Sequence, residues 1–413
     1  MKTTRRDFLE LMGIGALSTP VINGHLRKSG SEEDFWRELR AAFPLTKDRV
    51  YLNNGTFGPS PQVVLDTMKE NFTKSNTSGE YGHTDEARAS LAAFVGVTKE
   101  EISLTHNTTE GINIVCWGIP MQHGDEVIIS LHEHVGNALP WLNRAKLDGI
   151  VLRTFEPGKT AAETLDRIKL LINPKTKVIA VPHITCTLGQ VFPIKEIASL
   201  ANKYGILTAI DGAHGPGTFD LDLKDLSCDF YASSCHKWML GPNGTGFVYI
   251  KKERLEFLRA IQVGAYSDDG WDLYEQPPLL KGYNPTAHRF DYGSQSMPLY
   301  SGAAEAAHFH AKIGKKKIEL RVKELNDYLL EGLQSMSSHL DVLTPEERIS
   351  RIAMLTFKHK QKEYRSLANE ISKEGFRIRV VPESHLDAIR ISTHIYNSKV
   401  EIDRFIMALE KHA

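Results

Sequence analysis

Two stretches decide the fold. Residues 206–217 read Ile-Leu-Thr-Ala-Ile-Asp-Gly-Ala-His-Gly-Pro-Gly, and residues 229–238 read Asp-Phe-Tyr-Ala-Ser-Ser-Cys-His-Lys-Trp. The run 206–210 is almost entirely apolar, as expected of a parallel strand covered on both faces. It closes on Asp211, a carboxylate that is costly to bury without a cationic partner. The second stretch supplies one, because its strand (229–233) runs into Ser234, Cys235, His236 and Lys237. In an open α/β sheet, ligands gather beyond the carboxyl ends of the strands. Asp211 and Lys237 are therefore expected at the same edge.

Outward from this pair the pattern repeats. Further strands are expected at 126–130, 150–155, 177–182 and 246–250, with helices at 137–147, 161–172 and 194–204. Gly149 and Gly205 stop the first and third helices. Alternation of this kind predicts an α/β domain on a mostly parallel sheet. Past about residue 296 the texture changes to one long charged helix at 303–337, short strands near 377–381 and 388–392, and a last helix from about 400, which together predict a smaller α+β domain. The expected division is 50–296 for the large domain and 297–413 for the small one, preceded by a segment at 25–49. Residues 262–288, rich in Pro, Gly, Tyr and Trp, form a long loop of the kind that is usually functional.

The 413-residue chain is 41% hydrophobic and 24% charged, which excludes a largely disordered protein. Fifty basic residues against 51 acidic ones, with no basic stripe, argue against a nucleic-acid binder. The four cysteines, Cys116, Cys186, Cys228 and Cys235, make no CxxC pair and no zinc spacing, so no metal site is expected. Residues 1–24 differ from the rest: Thr4-Arg5-Arg6-Asp7-Phe8-Leu9 before a short apolar run resembles a twin-arginine export signal. The run is too short and too interrupted to span a bilayer comfortably. The expected location is periplasmic, or cytoplasmic if the segment is an ordinary amphipathic helix, with no other membrane attachment.

A third element completes the chemistry. Thr105-His106-Asn107-Thr108-Thr109-Glu110-Gly111 places hydroxyl-bearing residues where a helix opens, and such a start binds phosphate through backbone N–H groups and the helix dipole. A lysine, a buried carboxylate and a phosphate cradle at strand ends together suggest pyridoxal phosphate. The lysine would form the Schiff base, the carboxylate would keep the pyridine nitrogen protonated, and the helix start would hold the phosphate.

The sequence resembles the class V aminotransferases among the fold-type I pyridoxal phosphate enzymes, a family that includes cysteine desulfurases and isopenicillin N epimerase-like proteins. The resemblance runs from about residue 50 to the C-terminus. It rests on YLNNGTFGPSP (51–61), LTHNTTEGIN (104–113), GDEVIISLHEHVGNALPW (124–141), HITCTLGQVFPI (183–194), DGAHGPG (211–217), SSCHKWMLGPNGTGF (233–247), RFDYGSQS (289–296) and IRISTHIYN (389–397). It implies a seven-stranded, mostly parallel sheet in the large domain and a smaller α+β C-terminal domain. It also implies roles. Lys237 would bear the cofactor, Asp211 would pair with the pyridine nitrogen, and His134 would stack on the ring. Thr108, Thr109, Ser234 and His236 would hold the phosphate, and His214 would lie near the phenolic oxygen. Gly293 and Ser294 would reach the phosphate of a partner subunit, which implies a homodimer. Arg390 would grip a substrate carboxylate, beside a loop of Asn53, Asn54 and Thr56.

Two departures narrow the activity. Cys186 stands where desulfurases carry an asparagine beside the phenolic oxygen; it is either a weak donor or a small buried residue. No cysteine follows Cys235, so the persulfide-forming nucleophile of a desulfurase is missing. The expected activity is epimerisation or transamination of an amino acid or a derivative, with a carbon–sulfur β-lyase as the alternative. A non-catalytic binding protein on the same fold is the reading from another class. All three reactions share removal of the α-proton, for which Lys237 is the expected base. Return from the opposite face would need a second carrier, nominated among His214, His236 and Tyr292. The loop around Tyr266, Trp271 and Tyr283 is either a lid or a dimer interface.

Overall fold

The computed structural model describes residues 31–412. The segment read as a twin-arginine signal lies outside the described residues. The strands are β1 (Val50–Tyr51), β2 (Ile102–Thr105), β3 (Glu126–Ser130), β4 (Val151–Phe155), β5 (Thr176–Pro182), β6 (Leu207–Asp211), β7 (Phe230–Ser234), β8 (Gly246–Ile250), β9 (Trp271–Asp272), β10 (Leu279–Leu280), β11 (Leu340–Val342), β12 (Met354–His359), β13 (Phe376–Arg377), β14 (Arg379–Val381) and β15 (Ala388–Ser392).

Seven of them form one sheet in the order β2-β8-β7-β6-β5-β3-β4. Only β8 runs against the others, being antiparallel to both β2 and β7. The period-2 alternation of side chains splits each strand between two cores. Ile128, Ile179, Val181, Ile210 and Tyr231 face one of them. Val127, Ile129, Val178, Ala180, Ala209 and Phe230 face the other. Burial on both faces is why these strands read as continuous apolar runs. β4, at the sheet edge, is mostly exposed. The expected strands at 126–130 and 246–250 have the observed bounds, while β2, four residues without periodicity between an acidic turn and a helix start, escaped the sequence reading.

The smaller unit carries an antiparallel sheet, β11-β12-β15-β14. One expectation fails here. The single helix predicted at 303–337 is two, Met297–Ile313 and Lys315–Ser335, separated by Gly314 at φ +97°, a backbone conformation no helix accommodates. β1 pairs in parallel with β13, and Val50 and Leu52 pack with Leu325, Ile389, Ile391 and Phe405. The segment after β1 is thereby carried between the two sheets. Within the long loop, β9 and β10 form a short hairpin with Trp271, Leu273 and Tyr274 exposed. Among the described residues, no helix is long and apolar enough to cross a membrane.

Candidate active site

The carboxyl ends of β6 and β7 and the helix after β2 converge on a cavity of about 230 Å³. It is lined by Thr56, Thr108, Thr109, His134, Cys186, Asp211, His214, Ser234, His236, Lys237 and Arg390, all named from the sequence. The helix start is tied to β7. The Thr108 N–H donates to Ser234 Oγ at 2.8 Å, and the two hydroxyls lie 2.7 Å apart. Asn107 caps this helix, its Oδ1 accepting from the Glu110 N–H. His134 caps the next helix, Val135–Asp148, its Nδ1 accepting from the Gly136 N–H at 3.0 Å. A Cβ on Gly136 would come within 2.5 Å of Thr109 Oγ1, so a larger residue there would have to displace the Thr109 hydroxyl.

Asp211 ends β6 at 4% exposure, with Oδ1 accepting from the Ala213 N–H. Lys237 Nζ lies 3.1 Å from His214 Nε2. Burial pulls the lysine's pKa down to about 8, and Asp211 partly opposes that shift. Burial also pushes the imidazoles of His214 and His134 below the usual histidine range, with Lys237 adding to the effect. His236 falls to about 4 for the same two reasons, and its Nδ1 is buried without a partner. The Cys186 thiol is pushed up to about 11 by burial, so it is not a thiolate at neutral pH.

Arg390, on β15, is 1% exposed. Its Nη1 donates to the Cys186 carbonyl at 2.5 Å and its Nη2 to Thr56 Oγ1 at 3.2 Å, while Nε has no partner. Burial, then the neighbouring Arg379, lowers its pKa. Asn53 and Asn54 do not line the cavity; they hold the loop behind it. Asn53 Oδ1 accepts from the Thr56 hydroxyl, and Asn54 Oδ1 from the Tyr396 hydroxyl. Gly293 and Ser294 line a different, larger hollow with Tyr266 and His288, and do not reach this chain's Lys237 cavity.

The sequence reading missed Gly55, Asn107, Gly136, Ala213 and Arg379, which also line the cavity. Arg379 is the most consequential. It stands directly opposite Arg390 in the β14–β15 register, pairs with Glu383 and keeps Nη1 buried without a partner. The available signal was the alternation Arg377-Ile378-Arg379 in the short strand expected near 377–381. Gly58 has a structural duty: its N–H donates to the His236 carbonyl, and a Cβ would fall 1.8 Å from the Lys237 carbonyl oxygen. Gly58→Ala is expected to cost about 1–3 kcal/mol by overpacking. Thermal denaturation should show it, together with weaker cofactor retention as the loop pushes Lys237 aside.

A model of class V aminotransferases matches residues 50–405. The chain belongs to this family. Similar proteins include a probable cysteine desulfurase of Halalkalibacterium halodurans, 28% identical over 91% of this chain and 97% of the relative. Another is the isopenicillin N epimerase of Streptomyces clavuligerus, 29% identical over 91% and 98%. The fold matches an apo cysteine desulfurase from Thermococcus onnurineus (TM-score 0.82, 24% identity, 94% of this chain and 99% of that one). It also matches the cystine C–S lyase C-DES with its product cysteine persulfide (TM-score 0.81, 24% identity, 89% and 98%). This class V chain has the α/β fold of the PLP-dependent transferases, and the cofactor that goes with that family is pyridoxal 5'-phosphate. The residues present fit it: hydroxyls at a helix start, the orphaned His236 Nδ1, Asp211 at a strand end and a buried lysine whose pKa is pulled down to about 8 line the same cavity.

Proposed function

We propose that the protein acts at the α-carbon of an amino acid or an amino-acid derivative, as an epimerase or an aminotransferase. The observation that carries this reading is the convergence of Lys237, Asp211, His214 and Arg390 on one cavity. Pyridoxal phosphate, when bound, supplies an electron sink for the pair left by the α-proton. The Asp211 carboxylate balances positive charge at the strand end, and Thr108, Thr109, Ser234 and His236 hold the phosphate. Arg390, fixed by Thr56 and Cys186, orients the substrate carboxylate. Lys237, buried and with its pKa pulled down to about 8, carries the proton to and from the α-carbon. A carbon–sulfur β-lyase uses the same residues and is the alternative. Persulfide formation on the protein is disfavoured by the raised thiols of Cys186 and Cys235, the latter at about 12.

The test is α-proton exchange in deuterated water across a panel of amino acids. Loss of optical activity indicates epimerisation, a ketoacid formed with an amine acceptor indicates transamination, and pyruvate with ammonia indicates β-elimination. No exchange with any of them would leave the non-catalytic binding protein as the better reading. We further propose a homodimer in which Gly293 and Ser294 serve the neighbouring site. Tyr266, Trp271 and Tyr283, all exposed, support that reading. Light scattering should give twice the chain mass, and Ser294→Ala should weaken cofactor retention several-fold. A monomer with full retention would sink this. Export by residues 1–24 is proposed as well, and Arg5→Lys with Arg6→Lys should keep the protein in the cytoplasm.

A further inference from the structure

Trp238 follows the candidate anchor lysine, is fully buried and packs among Trp36, Leu39, Phe309, Ile352 and Ile395. Its indole N–H donates to His214 Nδ1 at 2.9 Å. An indole nitrogen only donates, so Nδ1 must accept and the proton of the neutral imidazole resides on Nε2. That Nε2 faces Lys237 Nζ at 3.1 Å. The tryptophan is itself clamped. Its carbonyl accepts from His394 Nε2 at 2.8 Å, and His394 Nδ1 accepts from the Ile395 N–H, which settles that tautomer too. Gly217, at φ +89°, lets the DGAHGPG turn pass so close to the Trp238 carbonyl that a Cβ would meet its oxygen at 2.2 Å.

We propose that Trp238 is a positioning residue: it locks His214 as the Nε2–H tautomer, so that the imidazole presents a donor to Lys237 Nζ and holds that amine in its neutral, reactive form. An ammonium at Nζ would set two donors face to face across the 3.1 Å contact, whereas a neutral amine accepts from Nε2–H. Only the neutral amine can add to an aldehyde carbon, with loss of one water. The other groups facing Lys237 are Asp211 at the end of β6, Cys186 after β5, Arg379 on β14 and Arg390 on β15. His134 and its chain neighbour His236 also feel its charge. Trp238→Phe removes none of these groups. It frees only the His214 proton to move to Nδ1, after which Nε2 accepts from an ammonium.

The inference rests on Lys237 being the cofactor anchor, and the experiment separates the two claims. The full-length apo-protein is mixed with pyridoxal 5'-phosphate across a range of pH, and the rate of appearance of the borohydride-sensitive near-visible band is followed. In Trp238→Phe the pH midpoint of capture is expected to rise by about one unit, slowing capture at pH 7 roughly tenfold. A merely structural tryptophan would lower the melting temperature and leave the midpoint where it was, which overturns the proposal. If Lys237→Ala still forms the band, the anchor assignment fails instead. A measurement on the wild type needs no variant to fold. Nitrogen-15 spectra of labelled imidazoles, with His214 assigned by His214→Gln, should show Nδ1 unprotonated; a proton on Nδ1 overturns the proposal.

Discussion

Lys237→Ala should abolish the borohydride-fixed near-visible band and lower turnover by at least about 10³-fold, because one side chain is both anchor and proton carrier. The lysine is 9% exposed, and its neighbours Asp211, His214 and Ser234 are each at 4% or less, so the substitution removes a buried amine. Burial pulls the pKa down to about 8, so the neutral fraction rises as pH climbs through that value. Wild-type cofactor capture should accordingly accelerate from pH 7 to pH 9, and Lys237→Ala should show no such limb. Added methylamine should restore part of the turnover by entering the space left by the side chain. A variant that kept the band and the pH limb would move the anchor elsewhere in the chain.

The second large effect is expected at Arg390. Its Nη1 and Nη2 are held by the Cys186 carbonyl and Thr56, so the guanidinium is already oriented before any substrate arrives. Lysine keeps the charge but loses the planar fork. Arg390→Lys should lower kcat/KM by roughly 10–100-fold, the loss of about 1.5–3 kcal/mol of charge-assisted hydrogen bonding. The discriminating readout is the preference for an amino acid over the primary amine lacking its carboxylate, which should collapse in the variant. Equal losses on both compounds would mean that Arg390 supports the loop and does not grip the substrate. Arg379, opposite it in register with a buried unpartnered Nη1, is the natural second variant.

Much of this site was legible in the sequence because its chemistry is placed by strand ends. A run such as 206–211 has one way to be buried on both faces, and the residues just after it must emerge at the sheet edge. Asp211, Lys237 and the Thr108 helix start were therefore found from pattern alone, while the family resemblance added His134, His214 and Arg390. The split of the 303–337 helix at Gly314 was hidden because a lone glycine within a helical pattern is often tolerated. β2 was hidden because four residues carry no period.

The class V fold, the order of the strands' chemistry and the identity of most groups around the cavity are written in the chain itself. They rest on apolar periodicity and on residues whose meaning is local. Which of those groups touch was settled by tertiary packing. It brought Arg379 opposite Arg390 through the β14–β15 register, carried Thr56 to Arg390 by pairing β1 with β13, and aimed the Trp238 N–H at His214. Asn53 and Asn54 it set behind the cavity, and Gly293 and Ser294 beside another hollow. The physical reason is that register and side-chain direction between elements far apart in the chain are set by packing, and no local pattern encodes them.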